Sequence, residues 1–500
     1  LPTRHVSVPM NRTTGRCVGT KVGHGPVSTS PVQQAAGLIC PAFFHSHLVQ
    51  APDSCGVLVN FRWPRIVPTK RTRRHRIEAT HQMARQDLPM KAARIDGSRL
   101  WQSLMDLAKI GATAKGGVCR IALTDRDREG RDLVCSWLRS AGCTVSVDAI
   151  GNIFARRAGR KNDLPPVVAG SHIDTQPTGG KFDGNYGVLA ALEVVRTMND
   201  RRIETEHPFE VAIWTNEEGT RFTPVMMGSG VFAGAFTLEY ALAQQDIEGK
   251  SVGSELRRIG YAGDIPVGRS FSAYFEAHIE QGPILEDAGI TIGVVTGALG
   301  LRWYDIVVTG QDAHAGPTPM PLRKDSLLVA AHIVEEVNRL ALAHHPAGRG
   351  TVGFMQVKPN SRNVVPGEVR LSVDLRHAEK AQLDVMEAEL RKACQQFEKR
   401  CGVKIDVEDV TDYPPLAFDA DLVDCVRNAT EQLGYGHMDI VSGAGHDACY
   451  IARAAPTAMI FVPCESGISH NEIEYAQPEH VEAGANVLLS AVLDRAMRPK

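Results

Sequence analysis

The spacing of apolar residues changes period repeatedly along the 500-residue chain, and the changes mark out its elements. Residues 100–107 and 128–141 read as helices, the second with Leu133, Trp137 and Leu138 on one side. Residues 143–150 alternate as a strand, Gly151-Asn152 breaks the alternation, and residues 153–157 follow as a hairpin partner. An apolar run at 165–169 leads as a buried strand into His172; a helix over 188–198 and a strand over 209–214 come next. Strands alternating with helices predict an α/β sheet, in which ligands sit beyond the carboxyl ends of the strands.

Between residues 296 and 412 the rhythm is that of a separate unit. Strands at 301–308, 350–357, 367–375 and 403–407 are interleaved with helices at 327–342 and 381–400. This β-α-β-β-α-β order predicts a ferredoxin-like α+β sandwich, able to offer a sheet edge or helix face to another subunit. The chain then returns through a helix at 422–433, an apolar strand at 458–462 and a last helix at 479–495. The expected organisation is a catalytic domain made of 93–295 and 413–500, with 296–412 inserted into it.

Residues 1–82 break from this pattern. Arg62, Arg65, Lys70, Arg71, Arg73, Arg74 and Arg76 crowd one end, the acids are Asp53 and Glu78 alone, and no helical or strand period persists. Such a stretch buries too little apolar surface to offset its ordering entropy, so it reads as disordered, as a leader outside the fold, or as a transit-type targeting segment. Elsewhere composition is ordinary, with 43% hydrophobic and 22% charged residues. A net charge of -2 gives no general reason to expect nucleic acid or an anionic membrane as partner. No apolar run is long enough to span a bilayer, and 11 scattered cysteines without a CxxC pair point to free thiols in the cytoplasm.

Candidate chemistry collects at the predicted strand ends. GSHIDTQPTGGKFDGNYG places His172, Asp174 and Asp183 among glycines that let the backbone turn sharply. An imidazole and a carboxylate delivered from a strand end make half of a divalent-metal site. In His172-x-Asp174 the carboxylate is expected to hold the imidazole's second nitrogen, and Asp183 to bridge two ions. The next strand runs into Asn216-Glu217-Glu218-Gly219, where one glutamate can bind metal while its neighbour carries a proton. FEAHIEQG offers His278 in an alternating strand, and the last strand leads to Gly467-Ile468-Ser469-His470. Nitrogen and oxygen ligands without cysteine suit a two-metal site with ions about 3.5 to 4 Å apart, and favour Zn²⁺, Mn²⁺, Co²⁺ or Ni²⁺ over Ca²⁺.

In order along the chain stand GSHIDTQPTGGKFDG, NEEGTRF, MMGSGVFAG, HIEQGPILE, GQDAHAGPTPM, NSRNVVPGEVRLSVDLRH, SGAGHDA and GISHNEIEY. From about Asp96 to the C-terminus the chain thereby resembles the hydantoinase/carbamoylase family, the dinuclear amidohydrolase branch of the M20 metallopeptidase superfamily. The resemblance implies a phosphorylase/hydrolase-like catalytic domain with an inserted dimerisation, or lid, domain. It implies one metal held by His172, Asp183 and His278, a second held by Asp183, Glu218 and His470, and Glu217 as general base. His314 would reach the neighbouring subunit's site in a homodimer, Asn363 and Arg376 would hold a substrate carboxylate, and Gln281 and His446 would contact a ureido group. The implied reaction is hydrolysis of an N-carbamoyl amino acid, a small ureido acid, to amino acid, ammonia and carbon dioxide. β-Ureidopropionase and allantoate amidohydrolase activities occur in the same family, with aminoacylases and peptidases elsewhere in the superfamily. MMGSGVFAG is more similar to the N-carbamoyl amino acid and N-carbamoyl-β-alanine enzymes than to the allantoate enzyme.

Overall fold

The computed structural model describes residues 93–499, so the expectation for residues 1–82 lies outside the described residues. Helix α1 (Gly97–Leu107) starts where the Asp96 carboxylate accepts from the Arg99 amide, and it buries Leu100, Leu104 and Leu107 on one stripe. Helix α2 (Asp125–Ser140) is capped by Thr124 and buries an Asp127–Arg131 ion pair of 2.8 Å beside Val134 and Leu138. Strands β1 (Thr144–Val147) and β2 (Ile153–Arg157) form the expected hairpin, although β1 is shorter than the alternation predicts. Asp148 ends it by accepting from the Ile150 and Asn152 amides at 3.1 and 2.8 Å, an Asx turn that outcompetes the strand ladder.

Next come β3 (Val167–His172), α3 (Asn185–Asp200), β4 (Phe209–Trp214), β5 (Ala273–Ile279) and β6 (Ile292–Ala298). Every residue of β3, β4 and β5 is buried; β3 and β4 are mostly apolar, whereas β5 also buries Glu276 and His278 within its alternation. Then follow β7 (Gly300–Thr309), β8 (Ala313–His314), α4 (Ser326–Ala343), β9 (Arg349–Lys358), β10 (Val364–Val365), β11 (Glu368–His377), α5 (Lys380–Cys401) and β12 (Lys404–Tyr413). The chain closes with β13 (Leu416–Ala417), α6 (Ala420–Leu433), β14 (His437–Ser442), β15 (Thr457–Val462) and α7 (Pro478–Ala496).

The larger sheet has nine strands in the order β1-β2-β4-β3-β5-β15-β6-β13, with β14 also paired to β6. β3, β4, β5 and β15 run parallel, so their carboxyl ends open on one edge of the sheet. The smaller sheet is antiparallel in the order β12-β7-β11-β9. Helices α4 and α5 cover one face of it, with Val329, Ile333, Leu340, Leu383 and Leu390 buried against Ile306, Val308, Leu371 and Val373. The other face carries Leu301, Trp303, Asp374 and Arg376. Among the described residues no helix is long and apolar enough to cross a membrane.

Candidate active site

The parallel strand ends bring the charged side chains together. His172 is the last residue of β3, and Asp183 lies in the loop that turns into α3. Glu217 and Glu218 follow β4, His278 lies near the end of β5, and His470 follows β15. Gly184 makes the turn possible, because its φ is +64° and a Cβ there would run into the His172 ring. Three further site loops hold non-glycine residues in left-handed backbone: Asn216 at +54°, Gln281 at +58° and His470 at +53°. Strain at positions flanking one cluster is the mark of a backbone over-determined by its surroundings.

His172 Nε2 and His278 Nε2 lie 3.6 and 3.3 Å from Asp183 Oδ1. On the other side, His470 Nε2 lies 3.4 Å from Asp183 Oδ2 and 3.3 Å from Glu218 Oε2. Two three-residue groups, His172–Asp183–His278 and Asp183–Glu218–His470, therefore share one carboxylate, and each could hold a metal ion. The spacing fits: ligands at about 2.0–2.1 Å from a tetrahedral ion stand about 3.3–3.4 Å from one another. The tautomers fit as well, since His172 Nδ1 meets the Asp174 carbonyl oxygen at 3.0 Å and His278 Nδ1 meets that of Ile279 at 2.9 Å. Each Nδ1 thus carries the proton, and each Nε2 lone pair faces Asp183. The Gly184 amide also donates to His278 Nε2, at 3.1 Å, which again requires that nitrogen to be unprotonated.

The Asp174 expectation needs correction. Its carboxylate lies 4.0 Å from His172 Nδ1, and its backbone carbonyl makes the bond instead. The carboxylate turns the other way and accepts from the amides of Glu217 and Glu218 at 3.3 and 3.2 Å, fixing the loop that carries both glutamates.

Burial dominates the electrostatics. It raises the Glu217 carboxyl well above the usual range, and it raises Glu218, with Asp183 adding to the effect, to about 7. Burial also raises Asp183, but the facing imidazoles of His172, His278 and His470 outweigh it and hold that carboxyl well below the usual range. The bond to Asp183 lifts His470 to about 9. Carboxylates that resist ionising together, beside a His470 that retains its proton, form a setting that a divalent cation would relieve.

A supporting layer was not anticipated from sequence. Glu474 accepts from the Phe182 and Asp183 amides at 2.9 and 3.1 Å, and Ser469 Oγ stands between Asp183 Oδ2 at 2.8 Å and Glu474 Oε2 at 2.9 Å, its single proton shared between the two carboxylates. Below, the fully buried Arg120 donates to the Ile173 carbonyl at 2.7 Å and to the Asn185 side chain, clamping both ends of the His172-to-Asp183 loop. Glu474 lies inside GISHNEIEY and Arg120 precedes the first motif, but nothing in their spacing marks them as supports.

Residues 168–494 match the model of peptidase family M20/M25/M40. An N-carbamoyl-L-amino-acid amidohydrolase of Rhizobium meliloti is 52% identical over 409 residues, 82% of this chain and 98% of that protein. Among solved structures, an amidase of the hydantoinase/carbamoylase family from Burkholderia multivorans has a TM-score of 0.80 at 61% identity, covering 82% of this chain and 100% of its own. The chain belongs to the M20/M25/M40 peptidase family, among its hydantoinase/carbamoylase amidases. Allantoate amidohydrolase of Bacillus subtilis is a more distant relative, 32% identical over 385 residues, 76% of this chain and 93% of its own.

In this M20 chain the cluster lines a cavity of about 700 Å³ that also includes Gln281, Arg376 and His446. Gln281 Nε2 donates to Asp183 Oδ2 at 2.8 Å, while its buried Oε1 has no hydrogen-bond partner. His446 packs 4.5 Å from the His278 ring, and burial holds it well below the usual imidazole range. Arg376 is paired to Asp374 at 2.8 Å and donates to the Gly443 carbonyl at 3.0 Å. His314 and Asn363 fall outside the cavity lining. Both are exposed and lie side by side, since His314 pairs with Val364 across the β8–β10 ribbon and the Ala315 amide donates to the Asn363 carbonyl at 2.8 Å. Within one chain, the exposed ribbon that carries them contributes nothing to the cavity lining.

Proposed function

We propose that this protein is a metal-dependent amidohydrolase that cleaves the ureido C–N bond of N-carbamoyl amino acids. The observation that carries the proposal is the pair of three-residue groups sharing Asp183, with Glu217 free beside them. His172, Asp183 and His278 would hold one divalent ion and Asp183, Glu218 and His470 the other, drawn from Zn²⁺, Mn²⁺, Co²⁺ or Ni²⁺. Bound there, the ions would supply an acidified water and polarise the ureido carbonyl.

The chain's own residues supply the remainder. Glu217, held by its amide on Asp174, takes a proton from the attacking water onto its carboxylate and passes it to the departing amine nitrogen. Gln281 offers its unpartnered Oε1 to the ureido N–H. Arg376, a two-pronged donor, holds the carboxylate, and Asp374 aims the guanidinium. One water and one ureido acid give the amino acid, ammonia and carbon dioxide.

We propose further that the active unit is a homodimer in which the partner subunit's His314 stabilises the developing oxyanion and residues 296–412 form the pairing domain. Supporting this, β9 is an edge strand with Phe354 55% and Met355 39% exposed, and α4 leaves Leu328 and Leu342 uncovered. Ammonia release from metal-loaded protein, measured on N-carbamoyl-L-amino acids, N-carbamoyl-β-alanine and allantoate, tests the reading. Release from an N-carbamoyl amino acid is expected, and release from allantoate alone would favour the second reading raised by the Bacillus subtilis relative.

A further inference from the structure

The cavity has two unlike walls. One is the charged cluster, and the other is apolar, built of Leu301, Trp303, Tyr413, Pro415, Leu416 and Tyr450. Trp303 and Tyr413 are 43% and 45% exposed, although both are large aromatic side chains at the mouth of a cavity. An aromatic surface left open beside a polar centre is surface for a ligand to cover.

Strand register sets where that surface lies relative to the carboxylate anchor. Arg376 on β11 is paired directly with Leu301 on β7, and Leu301 is paired in turn with Tyr413 on β12. Directly paired residues of antiparallel strands project to the same face, about 4.5–5.5 Å apart. Trp303 stands two residues along β7 from Leu301 and so shares that face. A guanidinium thus begins a row that continues as leucine and tyrosine, with tryptophan in the adjoining row. Asp374, paired with Trp303, is occupied by Arg376 and leaves the tryptophan ring as the open surface.

We infer that Leu301, Trp303 and Tyr413 read the substrate's α-substituent and select N-carbamoyl α-amino acids with a large apolar side chain, aromatic ones above all. The inference rests on the ureido reading given above. A substrate whose carboxylate sits on Arg376 has its α-carbon one bond away, so an α-substituent falls within one strand spacing, on the Leu301–Trp303 surface. N-Carbamoyl-β-alanine has no substituent and leaves the wall bare. Arg453 also borders the wall, its guanidinium 5.1 Å from the centre of the Tyr450 ring, which makes an acidic side chain the competing reading.

The test is kcat/KM of the metal-loaded protein for the N-carbamoyl derivatives of glycine, alanine, leucine, phenylalanine, aspartate and β-alanine. The phenylalanine derivative is expected to exceed the glycine derivative by about 10- to 100-fold, the value of burying one large apolar side chain. Trp303→Ala is expected to lower this ratio by about tenfold; the ratio is internal to each preparation, so a partly unfolded variant does not disturb it. A flat series, a preference for the aspartate or β-alanine derivative, or a ratio unchanged by Trp303→Ala overturns the inference and leaves the ureido reading standing. No ammonia from any of the six overturns the ureido reading and this inference with it.

Discussion

Glu217 Oε2 stands 3.6 Å from His172 Nε2, near enough for attraction and too far for a good hydrogen bond. That separation, with the Glu217 amide tied to Asp174, leaves the carboxylate beside the paired ligand groups and free to carry a proton. Glu217→Gln keeps the shape and removes the proton-carrying oxygen. Turnover is expected to fall by about 10²–10⁴-fold with bound metal, measured by elemental analysis, unchanged. Activity within tenfold of the native protein would remove Glu217 from the mechanism.

The perturbed groups give the metal-free protein a pH dependence of defined sign. His470 is raised to about 9 by Asp183, so the stability it contributes is complete below its ordinary range near 6.5 and is lost as pH rises through about 9. Glu218, raised to about 7 by burial and by Asp183, acts in the same direction, losing its contribution as pH rises through about 7. In chelator the Tm is therefore expected to fall between pH 6 and pH 9, and saturating divalent cation is expected to restore most of the loss. A Tm in chelator that rises over this interval would contradict the arrangement of charges.

Arg376→Ala removes the two-pronged donor while Asp374 remains. It is expected to raise KM for substrates with a free carboxylate and to abolish discrimination against their carboxamide analogues. Equal discrimination in variant and native protein, measured with matched acid and amide pairs, would place the carboxylate elsewhere.

If the site is completed by a second subunit, two inactive variants complement one another. Mixed dimers of His314→Ala and Glu217→Gln chains are expected to recover up to about half of the activity per site pair, because one site then holds both intact residues. Verified heterodimers that stay inactive would confine the site to a single chain.

How far the sequence carried depends on what kind of signal each residue sends. His172, Glu217, Glu218 and His470 follow apolar runs and His278 sits in an alternating one, and those stretches are the parallel strands whose ends meet. For Asp174, a spacing of two residues does not say which of its oxygens faces the imidazole; the backbone carbonyl does. β6 and β14 were not anticipated, since β6 is interrupted by glycine and β14 is half polar. Short helices such as Met227–Phe232 span too few turns to show a period. Alternation could place Trp303 on the solvent side of β7, but which cavity that side borders depends on how the smaller sheet meets the loops after β4 and β14.

The shared carboxylate of Asp183 is the centre of the account, and anomalous diffraction from crystals of manganese- or zinc-loaded protein tests it directly. Two peaks about 3.5–4 Å apart are predicted on either side of Asp183, one against His172 and His278 and the other against Glu218 and His470. Metal found instead among Glu276, His278 and His446, the remaining group able to hold an ion among the described residues, with Asp183 touching none, would contradict it.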